Sequence, residues 1–519
     1  MKKIFFFFLC FFLLVSPSFA EIHSSHELTA VYYHVEGNKA RSFYPANDAD
    51  YLYEGSVDFK TPYKDYEAFG KIEYRSTNDR LVDVQDASLE RFTSGLRAEI
   101  FEFVVGDFYS NFSEYSLGNA LKGAKFSLGS EKTSRLTLVA GADFSKWEDL
   151  WERRCEDSQT RKYVWGARLE NNLINNTLSL NFNYAGSRDD KAYTLSSAAP
   201  SKVNVLSTDF KYIVNQNVNI SSELAESFVD EDIRSSSVDT KSDYAIKSAV
   251  DYNNQDYSCT TTFSRIGNHF ATTGGFAAQD LQTINFDGLW FLPWKRIKFT
   301  HYLHTDRDNI SNTKTTTTKQ LNPGGKFSFN LPQDITIDVG SDLRKRYCTD
   351  KSTNSKTVTH ALNLGKDFQI FYSSLGYTKS RVSDKINDAS SRSTDTVSLG
   401  FDGNFPFRGV KCVWNIQEDI NHDHYKQANK SDLSTTTTLG LKFDFPSSLQ
   451  INLRGSFTDN DYYINETDSN IRNYYVSLSR KIKDSLSFDV SYEHKGYNYV
   501  GGDQNYAEKI LKGKLSYSF

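Results

Sequence analysis

The chain has 519 residues, a formal net charge of -5 and 24% charged residues, with a mean hydropathy of -0.55. After Val15 no stretch approaches eighteen apolar residues, which excludes membrane-crossing helices, and the mild acidic balance argues against nucleic acid as a partner. Yet there are 31 Tyr and 38 Phe, an aromatic load on a polar chain that fits strands alternating a lipid-facing with a water-facing residue.

Lys2 and Lys3 precede an apolar run from Ile4 to Val15, and Ser18-Phe19-Ala20 offers small residues at the positions a signal peptidase reads. The run is too short to span a bilayer, so residues 1–20 are expected to be a cleaved export signal and residues 21–519 a single folded unit. Strands are expected near Glu27 to Val35, Tyr51 to Lys60 and Glu67 to Arg75, with a turn at Thr61-Pro62-Tyr63-Lys64-Asp65. Arg91 to Ala98, Phe101 to Phe108 and Leu121 to Gly129 follow less regularly, so Arg91 to Gly129 either joins the sheet or folds inside it. That stretch carries Val105-Gly106-Asp107-Phe108, then Gly118 and Leu121-Lys122-Gly123-Ala124. Gly106, Asp107, Phe108, Lys122 and Gly123 are its candidate plug or gate residues. The favoured reading of the two glycines is a bulge or a close strand approach.

Beyond it, short turns recur about every forty residues, near Asn175, Asn215, Asn253, Pro293, Pro332, Lys366, Pro406, Pro446 and Lys483. The strands leaving them alternate strictly. Leu449, Ile451, Leu453 and Phe457, for example, oppose Gln450, Asn452, Arg454 and Ser456. Each apolar phase lasts about ten residues, the length that crosses a hydrocarbon core at a steep tilt and nearly twice a usual sandwich strand. Long polar loops are expected at the other ends, at Ser187 to Ser201, Val229 to Ser242, Ser380 to Arg392 and Ile420 to Ser431. Trp290, Trp294, Phe405, Phe407 and Phe445 crowd the short turns as an interfacial girdle. The expected fold is all-β: a transmembrane antiparallel barrel of about 26 strands, or 22 to 24 if Arg91 to Gly129 folds inside, with both termini periplasmic.

The inward phase of such a barrel supplies the candidate pore-lining residues Lys298, Asp338, Asp342, Asp402, Lys442, Asp444, Arg454, Asp489, Glu493, Lys512 and Lys514. Their signs are mixed, so strong ion selectivity is not expected. No catalytic, cofactor or metal site is assigned, and the chain is read as a non-enzyme. His422-Asp423-His424 has a metal-binding composition, but a solvated loop is the better reading. Of the four cysteines past the signal, Cys259 and Cys412 fall on apolar phases, while Cys155 and Cys348 fall in expected outer loops as a candidate disulfide pair.

The last nine residues put Leu511, Leu515, Tyr517 and Phe519 on one phase with Gly513, and lysine and serine on the other. This ending resembles the C-terminal β-signal of bacterial outer-membrane barrels. The resemblance implies recognition by the barrel assembly machinery and closure of the last strand on the first. The Gly-Asp-aromatic element followed by Lys-Gly is similar to one in large barrels such as fimbrial ushers and protein translocons, although no mid-barrel plug domain is apparent. Tyr163 to Glu170 and the stretch from Phe263 to Phe276 resemble blocks of other long barrels. Expected surroundings are outer-membrane lipid and lipopolysaccharide, with a periplasmic partner protein as an option. The functional expectation is a large pore or the outer-membrane part of an export system. The alternatives are a sheath around a lipoprotein or multihaem cytochrome, and a structural or adhesive surface protein.

Overall fold

The computed structural model describes residues 21–44, 47–83, 85–144, 146–148, 161–191, 199–235, 239–274, 277–292, 296–462 and 468–519. The expected signal peptide, Cys155, Trp294 and Phe276 lie outside the described residues.

Twenty-six antiparallel strands form one closed sheet. The first nine are β1 (Glu21–Gly37), β2 (Asn47–Tyr63), β3 (Tyr66–Thr77), β4 (Ala87–Ala98), β5 (Phe101–Asn111), β6 (Gly118–Gly129), β7 (Ser134–Asp143), β8 (Lys162–Leu173) and β9 (Leu178–Asp189). The wall continues through β10 (Lys202–Asn215), β11 (Val218–Asp230), β12 (Lys241–Asn253), β13 (Tyr257–Ile266), β14 (Leu281–Phe291), β15 (Ile297–Asp308), β16 (Thr318–Leu331), β17 (Ile335–Cys348) and β18 (Asn354–Asp367). It finishes with β19 (Phe371–Asp384), β20 (Arg392–Phe407), β21 (Val410–Tyr425), β22 (Lys430–Asp444), β23 (Leu449–Asp461), β24 (Ser469–Lys483), β25 (Leu486–Tyr499) and β26 (Tyr506–Ser518).

Every strand pairs with its sequence neighbours, and β26 closes on β1 in register from Ser25↔Ser518 to Gly37↔Tyr506. The last residue completes the ladder, since Ser24 N–H donates to the Phe519 carbonyl at 2.9 Å and Phe519 N–H to the Ser24 carbonyl at 3.0 Å. Leu511, Leu515, Tyr517 and Phe519 all point outward and are exposed. The closure implied by the C-terminal pattern is therefore present.

The two rims differ. One carries tight turns, such as the two-residue Arg408-Gly409 turn with φ of 49° and 81°, a type I′ geometry that suits the right-handed twist of the flanking strands. The other carries the longer connections. Leu28, Leu206, Leu224, Leu303, Val339, Leu439 and Leu453 share the outer phase and are exposed. A closed wall with an apolar outside and a polar inside is a membrane-spanning barrel, because closure leaves no backbone edge unsatisfied in lipid.

Three expectations change. Arg91 to Gly129 does not fold into the lumen: it supplies β4, β5 and β6, which gives the full count of 26. Ile420 to Ser431 is not a long loop, because β21 continues to Tyr425 and β22 begins at Lys430. His422, Asp423 and His424 are therefore strand residues, with the two histidines outside and Asp423 inside. Cys348 is the last residue of β17 rather than a loop residue, and its thiol is free.

Candidate functional site: the lumen wall

A circular section of 26 strands, spaced about 4.8 Å and tilted about 40°, has a diameter of about 50 Å. Side chains cannot fill such a span. The inner wall is therefore the surface on which any function of the hole depends.

All eleven sequence-predicted pore-lining residues lie on the inner phase, opposite exposed neighbours such as Val339, Leu453 and Leu511. Six of them are paired or hydrogen-bonded to neighbours on the wall. Asp338 pairs with Lys326 at 3.4 Å, Asp342 accepts the Tyr302 hydroxyl at 2.6 Å, and Lys442 meets Asp444 at 3.4 Å. Glu493 takes Lys495 at 3.2 Å and the Asn473 amide at 3.1 Å, and Lys514 reaches Glu27 at 2.6 Å. Lys512 faces Ser491 in register, Asp489 faces Lys514, Arg454 faces Tyr475, Lys298 faces Ser328, and Asp402 faces Asn415.

The N-terminal half adds charges that sequence reasoning missed. Glu102 is held by Lys125 at 2.8 Å, Arg97 at 3.1 Å and Arg135 at 3.2 Å. Arg75 bridges Glu54 at 2.7 Å and Glu90 at 3.4 Å. The signal was available in β2, where Asp50, Leu52, Glu54, Ser56, Asp58 and Lys60 alternate with Tyr51, Tyr53, Val57 and Phe59. Across β18 to β24 many of the inward groups between these charges are hydroxyls and amides that satisfy one another. Examples are Thr396 with Asn421 at 2.8 Å, Thr436 with Thr458 at 3.0 Å and Asn452 with Ser477 at 3.1 Å. Self-paired neutral groups leave few strong contacts for a passing solute to displace.

One side of the lumen is narrowed from the long-loop rim. Val203, Val205, Ala225 and Ala245 face inward and are buried, because Tyr115 and Phe270 lie on them, ring to ring at 5.7 Å and 78°. Tyr115 comes from the β5–β6 connection and Phe270 from the β13–β14 connection. The first is anchored by Glu223, which accepts the Glu114 and Tyr115 N–H groups at 3.2 and 3.1 Å. The second is tied by the Thr273 hydroxyl donating to the Ser116 carbonyl at 2.6 Å and by His269 N–H donating to Asp243 at 3.0 Å. Phe112 and Leu117 pack beside them on Leu121, Val139, Val164 and Ala185.

The five candidate plug or gate residues are wall residues, and the structure splits them between its faces. Gly106 has φ of +110°, and a Cβ there would stand 2.0 Å from the Phe92 carbonyl oxygen. A Cβ on Gly123 would stand 2.1 Å from the Ala140 oxygen. Close strand approach is thus the role of both glycines, and Phe108 packs inward near Leu121. Asp107 and Lys122 face outward as a register pair at 2.6 Å, with the Lys122 side chain 3% exposed. Asp107 also accepts Phe92 N–H at 2.7 Å and the Trp147 indole N–H at 2.6 Å.

This cluster seals a seam. β4 and β5 pair only from Thr93↔Gly106 to Ala98↔Phe101, six positions, the shortest pairing in the wall. Above them, Leu89 turns instead to the β7–β8 connection. Its carbonyl accepts Trp147 N–H at 3.4 Å, and its N–H donates to Glu148 at 2.6 Å. Beside the seam, Lys146 meets the fully buried Asp83 carboxylate at 2.5 Å.

Among the described residues no group of three or more His, Cys, Asp or Glu is arranged to hold a metal ion. No protein-family model matches the chain, and no curated protein sequence matches it. Solved structures similar to it include the copper transporter OprC, at 8% identity and a TM-score of 0.43 over 97% of this chain and 81% of that one. The siderophore receptor PirA from Pseudomonas aeruginosa is similar at 8% identity and a TM-score of 0.41 over 96% and 80%. The P pilus usher PapC translocation pore is similar at 9% identity and a TM-score of 0.30 over 96% and 99%. At these values they carry no argument about what this chain does.

Proposed function

We propose that this protein is an outer-membrane barrel serving as a wide, water-filled passage for hydrophilic solutes, either as a pore or as the outer-membrane part of an export route. In this reading the tight-turn rim faces the periplasm and the long loops face outward. The observation that carries it is the polar lumen of a 26-stranded wall, far wider than its side chains can fill and narrowed on one side, among the described residues, by the Tyr115 and Phe270 connections. Charges of mixed sign, about half of them paired with a neighbour, give the passage little preference between cations and anions. The protein performs no chemistry on what passes.

Single-channel recording in a planar bilayer tests this. The intact barrel is expected to give a steady, weakly selective conductance, and replacing residues 268–279 with a short glycine-serine turn is expected to raise it. If both proteins fold and stay silent, the passage reading fails. A second chain retained through purification would then favour a sheath around a partner.

A further inference from the structure

The outer face of β15 to β19 has a charge pattern that the passage does not explain. Near the long-loop rim it presents Arg307, Lys319, Lys345, Lys356, Lys379 and Arg381, all on the phase of the exposed Leu303, Leu321, Val339, Leu362 and Tyr377. The outward positions of these five strands hold no Asp or Glu. The next outward carboxylate beyond them, Asp395 on β20, is taken by Lys379 at 2.9 Å and the Tyr377 hydroxyl at 2.6 Å. Moreover, Arg307 stands directly opposite Lys319, and Lys345 directly opposite Lys356. Like charges in direct cross-strand register are destabilising, and an anion seated between them relieves the repulsion.

Below these cations the same face holds a groove of about 500 Å³ walled by Phe299, Phe327, Val339 and Leu362. It is open where Gly325 and Ser341 present little or no side chain. Four residues separate Lys345 from Ser341, about 13 Å along a strand. An anion-binding band set one acyl-chain segment above an apolar groove matches an amphiphile with a phosphorylated head.

We propose that the outer face of β15 to β19 is a binding site for a phosphorylated lipid of the outer leaflet, its phosphates between the paired cations and an acyl chain in the groove. Arg and Lys clusters at a membrane surface attract anionic head groups, and Arg binds phosphate in a bidentate fork. The site rests on the outer-membrane orientation but not on transport. A silent bilayer recording would leave it standing.

The test is native mass spectrometry of the delipidated full-length barrel in neutral detergent, offered three probes: bisphosphorylated lipid A, the same lipid without phosphates, and inorganic phosphate. Wild type is expected to retain lipid A at least tenfold more tightly than the dephosphorylated lipid, with inorganic phosphate unable to displace it. The triple variant Lys319→Gln, Lys345→Gln, Lys356→Gln should lose at least tenfold in lipid A binding. Ser341→Phe, which fills the groove and keeps every charge, should lose a comparable factor. Folding of each variant is read independently from its heat-dependent gel mobility. Undiminished binding by either folded variant would overturn the proposal. So would displacement by inorganic phosphate at lipid-like concentrations, which would mark a free-anion site.

Discussion

Substituting Lys122→Met removes the cation from the β4–β5 seam and leaves the Asp107 carboxylate, 19% exposed, on the lipid-facing wall. Breaking a buried ion pair on one side costs about 3–5 kcal/mol, because the surviving charge is left uncompensated. Asp107 keeps two donors, Phe92 N–H at 2.7 Å and Trp147 Nε1–H at 2.6 Å, which places the cost at the low end. We therefore expect a loss of about 3 kcal/mol, roughly a hundredfold in the unfolding equilibrium. The double variant Asp107→Asn, Lys122→Met removes both charges while retaining an amide acceptor for the same two donors. It should lie within about 1 kcal/mol of wild type, so removing the second charge recovers about 2 kcal/mol of the single variant's loss. Urea unfolding of the barrel in lipid vesicles, followed by tryptophan fluorescence, measures all the stabilities needed. A Lys122→Met loss below about 0.5 kcal/mol, or a double variant no better than the single, would refute the reasoning.

Gly106→Ala should fold poorly, since its φ of +110° and the Phe92 carbonyl 2.0 Å from a new Cβ act together, and the yield of heat-modifiable barrel would show it. Phe519→Ser keeps both backbone hydrogen bonds to Ser24 but removes the outward ring, so folded yield in the membrane should fall while the denaturation midpoint of the purified barrel changes little. The Asp83 contact should be acid-sensitive. Burial pushes its carboxyl up, but the Lys146 ammonium, the Gln85 N–H and the Ser88 hydroxyl outweigh that and hold it below the usual range. Its stabilisation is complete above the unfolded value of about 4 and is lost as pH falls through the lower folded value. Proteolysis of the 144–161 connection should accordingly accelerate below about pH 4 in wild type but not in Asp83→Asn.

The wall was legible where residues obey one rule along a whole strand. Leu449, Ile451 and Leu453 must meet lipid and Arg454 must meet water, so the phase could be read directly and every predicted lumen charge fell inside. Reading failed where that rule relaxes. β21 runs past the apolar belt, so His422 and His424 occupy outward positions with no need to be greasy, and the stretch looked like a loop. Asp107 and Lys122 put charge on the outer phase, an arrangement tolerated only because Trp147, forty residues along the chain, covers them. The narrowing had a fainter signal. Val203, Val205, Ala225 and Ala245 are apolar on the inward phase, which in a wet lumen demands a cover, and Tyr115 and Phe270 are aromatic residues in connections.

The junction of β26 with β1 also makes assembly a problem of the chain's two ends. Ser25 and Ser518 meet across nearly the entire sequence, a ring closure costing about 5–6 kcal/mol of entropy by loop scaling alone. Until β26 has been made, the first strand has one naked edge, and every hairpin added behind it moves the other naked edge further away. Such edges invite pairing with foreign strands. The sheet is thus protected from such pairing only once β26 has met β1, and a product lacking β26 would remain an open, adhesive sheet.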